Sequence, residues 1–233
     1  MSRTLFVTGT DTGIGKTRVA CALLRAFATR GVRVAGMKPV AAGATRTPEG
    51  PRNADALALM ASSSGPVAYG VVNPFVFTPP IAPHLAAAEA RVRIDLGHIG
   101  RCHAELAARH DVVIVEGAGG LLVPLDERHS FADLARMLGA PVLLVVGMRL
   151  GCLNHALLTA EAIERRGLPF AGWVGTALDP DFERPDANTA VLRERMIAPC
   201  WGTLAHRPDG AAACDAKDLD AGMIDAFLAG RPS

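Results

Sequence analysis

The stretch VTGTDTGIGKT, residues 7–17, packs three glycines, four threonines and a single lysine between a short apolar run and a helical pattern. A strand, a loop of small residues and then GKT opening a helix is the setting of a phosphate-binding loop. Small side chains let backbone N–H groups and the positive helix end approach phosphate oxygens. Lys16 would then reach the terminal phosphates, and the Thr17 hydroxyl would sit on Mg²⁺. The spacing departs from the usual loop, because Gly9 and Gly15 are separated by five residues instead of four.

Such a loop commits the chain to an α/β fold, and the rest of the pattern agrees. Residues 4–8, 32–37, 111–117, 141–147 and 170–176 read as strands that are apolar almost throughout, as strands covered on both faces are. Helical patterns near 16–30, 53–62, 95–109, 131–138 and 152–166 alternate with them. Gly31, Gly139 and Gly167 stand at helix ends, and Ser130 stands as an N-cap. The expected fold is a parallel sheet flanked by helices, P-loop NTPase-like, with residues 1–233 as one domain. Residues 39–52 and the proline-rich 73–84 read as loops, and the chain after 185 has helical composition without a motif.

With half its residues apolar, the chain can build a large core without disulfides or metal. A net charge of +1 argues against a dedicated nucleic-acid binder. Five scattered cysteines, none in a C-x-x-C spacing, fit small core residues in a reduced compartment. No signal peptide or bilayer-length apolar run is present, so the expectation is a soluble cytoplasmic protein with no membrane association.

Other candidates sit at strand ends. Glu116 closes the apolar run DVVIVE and precedes GAGG, which suits a carboxylate ligand of Mg²⁺. Asp55, near a helix start, reads locally as a partner of the helix dipole. Lys38, at the end of VRVAGM, is either solvated or placed to stabilise charge leaving a γ-phosphate. The segment GCLNHALLT opens a helix whose amides at Cys152, Leu153 and Asn154 can accept a carboxylate, or which is simply capped. His98, His103 and His110 read as surface residues, and no histidine or cysteine set has zinc spacing.

Together GTDTGIGKT (9–17), GMKPV (36–40), RNADALAL (52–59), PPIAPH (79–84), VEGAGGLLVPL (115–125) and GCLNHALLT (151–159) resemble the dethiobiotin synthetase family in order and spacing from about Thr4 to Thr176. The five-residue glycine spacing is itself a feature of that family. The resemblance implies an ATP- and Mg²⁺-dependent ligase that makes dethiobiotin from 7,8-diaminopelargonate and CO₂, as a cytoplasmic homodimer.

Carried over, Thr17, Asp55 and Glu116 resemble the metal ligands, which reverses the local reading of Asp55. Thr12, Lys16 and Lys38 resemble the catalytic groups around the carbamate and γ-phosphate. Nucleotide contacts map to Gly13, Ile14, Gly15, Lys16, Thr17, Arg18, Asp55, Glu116, Gly117, Ala118, Gly119, Gly175, Thr176, Ala205, His206 and Arg207. Substrate contacts map to Thr12, Lys38, Ala42 and Pro80, with Gly151, Cys152, Leu153 and Asn154 supplied across the dimer. Two positions depart from the family: Ala42 replaces a frequent hydroxyl residue, and Thr176 replaces an asparagine that commonly reads adenine.

Two other classes share the loop. Partitioning or positioning ATPases usually carry a second lysine early in it, where Thr10 and Asp11 stand here. Cobyrinic-acid-type amide synthetases need a glutaminase region for which 233 residues leave no room.

Overall fold

In a computed structural model, residues 2–206 and 216–230 are described. The elements run β1 (Arg3–Gly9), α1 (Lys16–Ala28), β2 (Val34–Met37), β3 (Val40–Ala41), β4 (Thr45–Thr47), β5 (Gly50–Arg52), α2 (Ala54–Ala61) and α3 (Tyr69–Val72). They continue β6 (Phe75–Val76), α4 (Pro83–Glu89), α5 (Leu96–Ala107), β7 (Val112–Glu116), α6 (Phe131–Met137), β8 (Val142–Met148), α7 (Cys152–Arg165), β9 (Phe170–Ala177), α8 (Pro185–Arg195), β10 (Cys200–Leu204) and α9 (Ala221–Ala229).

Six strands form one sheet in the order β10-β9-β8-β1-β7-β2, and every pairing in it is parallel. Both faces are covered. Phe6, Val113, Val115, Leu144, Val146 and Trp173 pack toward the side of α4 to α8, while Leu5, Val7, Ile114, Leu143, Val145 and Val174 pack toward α1 and α9. That double burial is why the strands read as unbroken apolar runs.

Each of the five strands and five helices expected from the pattern is present, with ends shifted by one or two residues. Gly31, Gly139 and Gly167 have φ of 76°, 60° and 59°, the left-handed values that stop a helix. The Asp133 carboxylate accepts hydrogen bonds from the N–H and hydroxyl of Ser130 at 2.8 and 2.7 Å, which closes the start of α6.

Some expectations need correction. The supposed loops at 39–52 and 73–84 contain the short parallel pair β3–β6 and the exposed hairpin β4–β5. Strand β10 escaped the pattern because it is short and interrupted by Gly202. His110 is buried, not on the surface: Nδ1 lies 2.8 Å from the Leu106 carbonyl. Cys21, Cys102, Cys152 and Cys200 are buried and in no disulfide among the described residues, and Cys214 lies outside them. No helix among the described residues is long and apolar enough to cross a membrane.

Candidate active site

Parallel strands deliver their carboxyl ends to one edge of the sheet, and register decides which side chains meet there. Val7 of β1 lies opposite Glu116 of β7, and Met37 of β2 lies opposite Val115. The next residue, Lys38, therefore stands beside Glu116. The loop after β1 passes over the same edge. A Cβ on Gly9 would come within 2.7 Å of Ile14 and 3.0 Å of Lys16, so only glycine lets the Lys16 side chain cross the strand end. Gly13 and Gly15 take φ of 72° and 85°. Gly15 caps α1 without a side-chain hydrogen bond, which leaves the first-turn amides available to an anion.

The charged groups form one cluster. Lys38 Nζ donates to Glu116 Oε1 at 2.6 Å, to Asp55 Oδ2 at 2.8 Å and to the Gly117 carbonyl at 3.3 Å. Thr17 Oγ1 donates to Glu116 Oε1 at 2.9 Å. Lys16 Nζ donates to the Asp11 carbonyl at 2.6 Å. Glu116, Lys38 and Lys16 are 0%, 3% and 6% exposed, whereas the Asp55 side chain is 43% exposed.

Burial dominates the electrostatics. For Lys16, burial and then the neighbouring Lys38 charge lower the pKa to about 8. For Lys38, burial opposes the charge, but the Glu116 and Asp55 carboxylates outweigh it and raise the pKa. Burial likewise works against the Asp55 carboxylate, and the Lys38 charge with its hydrogen bond outweighs it, lowering the pKa. Burial pushes Glu116 up.

A cavity of about 660 Å³ opens over this cluster. Its lining includes Thr12, Gly13, Gly15, Lys16, Thr17, Arg18, Lys38, Ala42, Asp55, Pro80, Glu116, Ala118 and Gly119. Pro83, one of the prolines before His84 that the resemblance places in the pocket wall, also lines it, as do Ala41, Asn53, Ile81, Ala82 and Val123, which the sequence did not single out. Asn53 carried a signal, since its side chain accepts from Ala56 N–H as the N-cap of α2, the helix bearing Asp55.

Other candidates lie off the cavity. Ile14 is buried beneath the loop, and Gly117 contributes its carbonyl from behind Lys38. Gly175 and Thr176 sit inside β9, and the Thr176 hydroxyl donates to the Ile14 carbonyl at 2.6 Å. Ala205 and His206 follow β10, where the Ala205 carbonyl accepts from Arg18 at 2.6 Å. Arg207 lies outside the described residues. Gly151 to Asn154 begin α7 away from the cavity. The Cys152 amide is already paired with the Arg149 carbonyl at 3.0 Å, so only the Leu153 and Asn154 amides remain for a carboxylate.

The donor set fits a divalent cation such as Mg²⁺. Among the described residues no group of three His, Cys, Asp or Glu side chains surrounds a common point. Two carboxylates and a threonine hydroxyl converge instead, the sparse protein set Mg²⁺ takes when phosphates and water supply the rest. Glu116 Oε2 is buried with no hydrogen-bond partner, an anionic oxygen left for a cation.

Comparison with known proteins identifies the fold and the family. An AAA domain family model matches residues 3–209. The cell division protein MinD of Aquifex aeolicus superposes with a TM-score of 0.60 over 98% of each chain at 12% identity, and a ParA family ATPase of Chlorobium tepidum with 0.54 over 97% and 98% at 14%. These likenesses establish a shared P-loop NTPase fold and nothing narrower. Proteins named ATP-dependent dethiobiotin synthetase BioD are far nearer in sequence. That of Xanthomonas oryzae is 51% identical over 92% of this chain and 96% of its own, and that of Pseudomonas paraeruginosa is 52% identical over 92% and 95%. That of Nitrosospira multiformis is 48% identical over 100% of this chain and 99% of its own. With the phosphate loop, the buried carboxylate cluster and identity near one half along almost the whole chain, the protein belongs to the dethiobiotin synthetase family of ligases.

Proposed function

We propose that this chain uses Mg-ATP to carboxylate 7,8-diaminopelargonate and close the ureido ring of dethiobiotin. The observation that carries the reading is the Lys38–Glu116–Asp55 cluster held against the phosphate loop in a chain of this family. In the first step one amine of the diamine attacks CO₂, forming an N–C bond and losing a proton to give a carbamate. A carbamate oxygen then attacks the γ-phosphorus while the bond to the bridging oxygen breaks and ADP leaves. Finally the second amine attacks the carbamoyl carbon, the C–O bond to phosphate breaks, and the ring closes with loss of a proton.

Charge explains the residues. Lys16, Lys38, Asp55 and Glu116 sum to zero, so a triphosphate and a carbamate bring negative charge that these side chains alone do not offset. Thr17, Asp55 and Glu116 would hold Mg²⁺, which supplies the additional positive charge at the phosphoryl oxygens. Lys16 and the loop amides hold the β- and γ-phosphates. Lys38 neutralises charge between the carbamate and the transferring group, and Thr12 borders the same space. The phosphoryl step requires little covalent help, so positioning and charge supply the catalysis.

The substrate's carboxylate would meet the Leu153 and Asn154 amides of a second copy. Leu150 just before α7, Leu158 within it, and Leu122, which lines a surface pocket with Leu158, are 94%, 56% and 49% exposed, apolar surface suited to a two-fold dimer. Pro80 and Ala42 border the side of the cavity where the diamine chain would lie.

The reading is tested by incubating the protein with diaminopelargonate, bicarbonate and Mg-ATP. Dethiobiotin and ADP are expected in equal amounts by mass spectrometry, and ATP turnover that does not depend on the diamine would refute it.

Lys38→Gln should lower kcat by at least ~100-fold, since one preorganised charge contact is commonly worth about 3–4 kcal/mol in the transition state. ATP affinity should change little, because Lys16 and the loop are intact; near-normal turnover would remove Lys38 from the chemistry. Glu116→Gln should raise the Mg²⁺ concentration required for half-maximal activity without loss of helical circular dichroism. An unchanged Mg²⁺ requirement would take Glu116 out of the metal site.

The base is the remaining contact. Because the Thr176 proton is committed to Ile14, other nucleoside triphosphates should support turnover within about tenfold of ATP, about 1.4 kcal/mol of discrimination. A preference for ATP above about a hundredfold in a nucleotide panel would show that backbone groups read adenine.

A further inference from the structure

Lys38 and Asp55 belong to different elements, the end of β2 and the first turn of α2, and their side chains meet across the cavity floor. Behind them runs a second connection made only of uncharged groups. The Asn53 N–H donates to Tyr69 Oη at 2.8 Å, the Tyr69 hydroxyl donates to Asn73 Oδ1 at 2.9 Å, and Asn73 Nδ2 donates to the Lys38 carbonyl at 2.6 Å. The direction of this chain has no alternative. The Asn53 amide can only donate, so Tyr69 Oη accepts there and sends its single proton to Asn73, which turns the Asn73 NH₂ toward Lys38. The second Asn73 proton goes to the Phe75 carbonyl at 3.2 Å.

The segment 69–73 thus holds Lys38 at both backbone groups, because the Lys38 N–H also donates to the Val72 carbonyl at 2.9 Å. At its other end it holds the residue that caps α2, two positions before Asp55. The direct ion pair between Lys38 and Asp55 is exchangeable: once Asp55 ligates a cation, that contact is weakened. The tyrosine bridge is unaffected by such a change and continues to register the two elements. Covalently they are joined only through residues 39–54, which include the exposed hairpin β4–β5.

We propose that Tyr69 is a positioning residue whose hydroxyl sets the distance between Lys38 and Asp55. Through them it sets the affinity of the site for a divalent cation in the nucleotide complex. The proposal rests on the reading of Asp55 as a metal ligand and Lys38 as a phosphoryl contact.

The test is Tyr69→Phe, which deletes one oxygen and retains the ring under the Arg52 guanidinium, 4.3 Å from its centroid. Mn²⁺ binding, followed by the free-ion electron paramagnetic resonance signal with a non-hydrolysable ATP analogue, should weaken about tenfold, and kcat should fall by a similar factor. The KM for ATP should stay within about twofold, because the loop contacts are intact. Arg52→Ala removes the stacked cation but keeps the hydroxyl, and should leave Mn²⁺ affinity and kcat near normal. Wild-type Mn²⁺ affinity and kcat in Tyr69→Phe would overturn the proposal. So would a lower thermal midpoint with unchanged Mn²⁺ affinity, or equal losses in Arg52→Ala. Should Tyr69→Phe prove insoluble, Asn73→Ser cuts the bridge one residue on and is held to the same readouts. Absence of dethiobiotin from the wild type would refute the overall reaction, while the Mn²⁺ comparison would still decide the role of Tyr69.

Discussion

The Lys38–Glu116 ion pair is the contact on which the site depends, and it is a costly one. Both side chains are almost completely removed from water, with Nζ and Oε1 2.6 Å apart. Desolvating two such charges typically costs as much as or more than their attraction returns, so a pair of this kind is a poor device for stabilising a fold. The sheet nevertheless places both residues by register, adds Asp55 from α2, and turns Thr17 and the Gly117 carbonyl toward them. One Glu116 oxygen stays unpaired. The cost is understandable if the charges are held ready for a ligand, since preorganised dipoles and ions need not reorganise as charge moves in the transition state.

The phosphate loop meets the same constraint from the other side. Lys16 is buried close to Lys38, and the two positive groups together with burial bring its pKa to about 8. On the proposed reading an arriving triphosphate would relieve that repulsion, so nucleotide binding and the buried cluster would support one another. Arg149 pairs with Asp11, whose other oxygen accepts from the Thr12 N–H at 2.7 Å. The loop is thereby joined to the chain just before α7.

What was legible in the sequence follows from how local the cause was. Unbroken apolar runs such as 112–116 and 142–148 announce strands buried on both faces, and the glycines after helices announce their ends. Glu116 was legible because a strand end before GAGG already locates it. Asp55 was not: a carboxylate in a first helical turn is locally indistinguishable from a dipole partner, and the family resemblance alone redirected it. The Tyr69–Asn73 bridge had no local signal at all, because its meaning arises from joining residues 38, 53, 69 and 73 across three elements. Strand β10 failed for a different reason, since five residues containing a glycine carry too little pattern to register.

Thr176 stands apart from the charged cluster along the sheet edge. The charged cluster sits at the ends of β2 and β7, whereas Thr176 is the last residue but one of β9, two strands from β1 on the other side. Where the sequence resemblance implies an asparagine facing adenine, this chain has a buried hydroxyl that ties β9 to the loop carbonyl of Ile14. The methyl group of Thr176 also lies under Gly15, 3.4 Å from where a Cβ would stand. Thr176 therefore steadies the phosphate loop through both its hydroxyl and its methyl group.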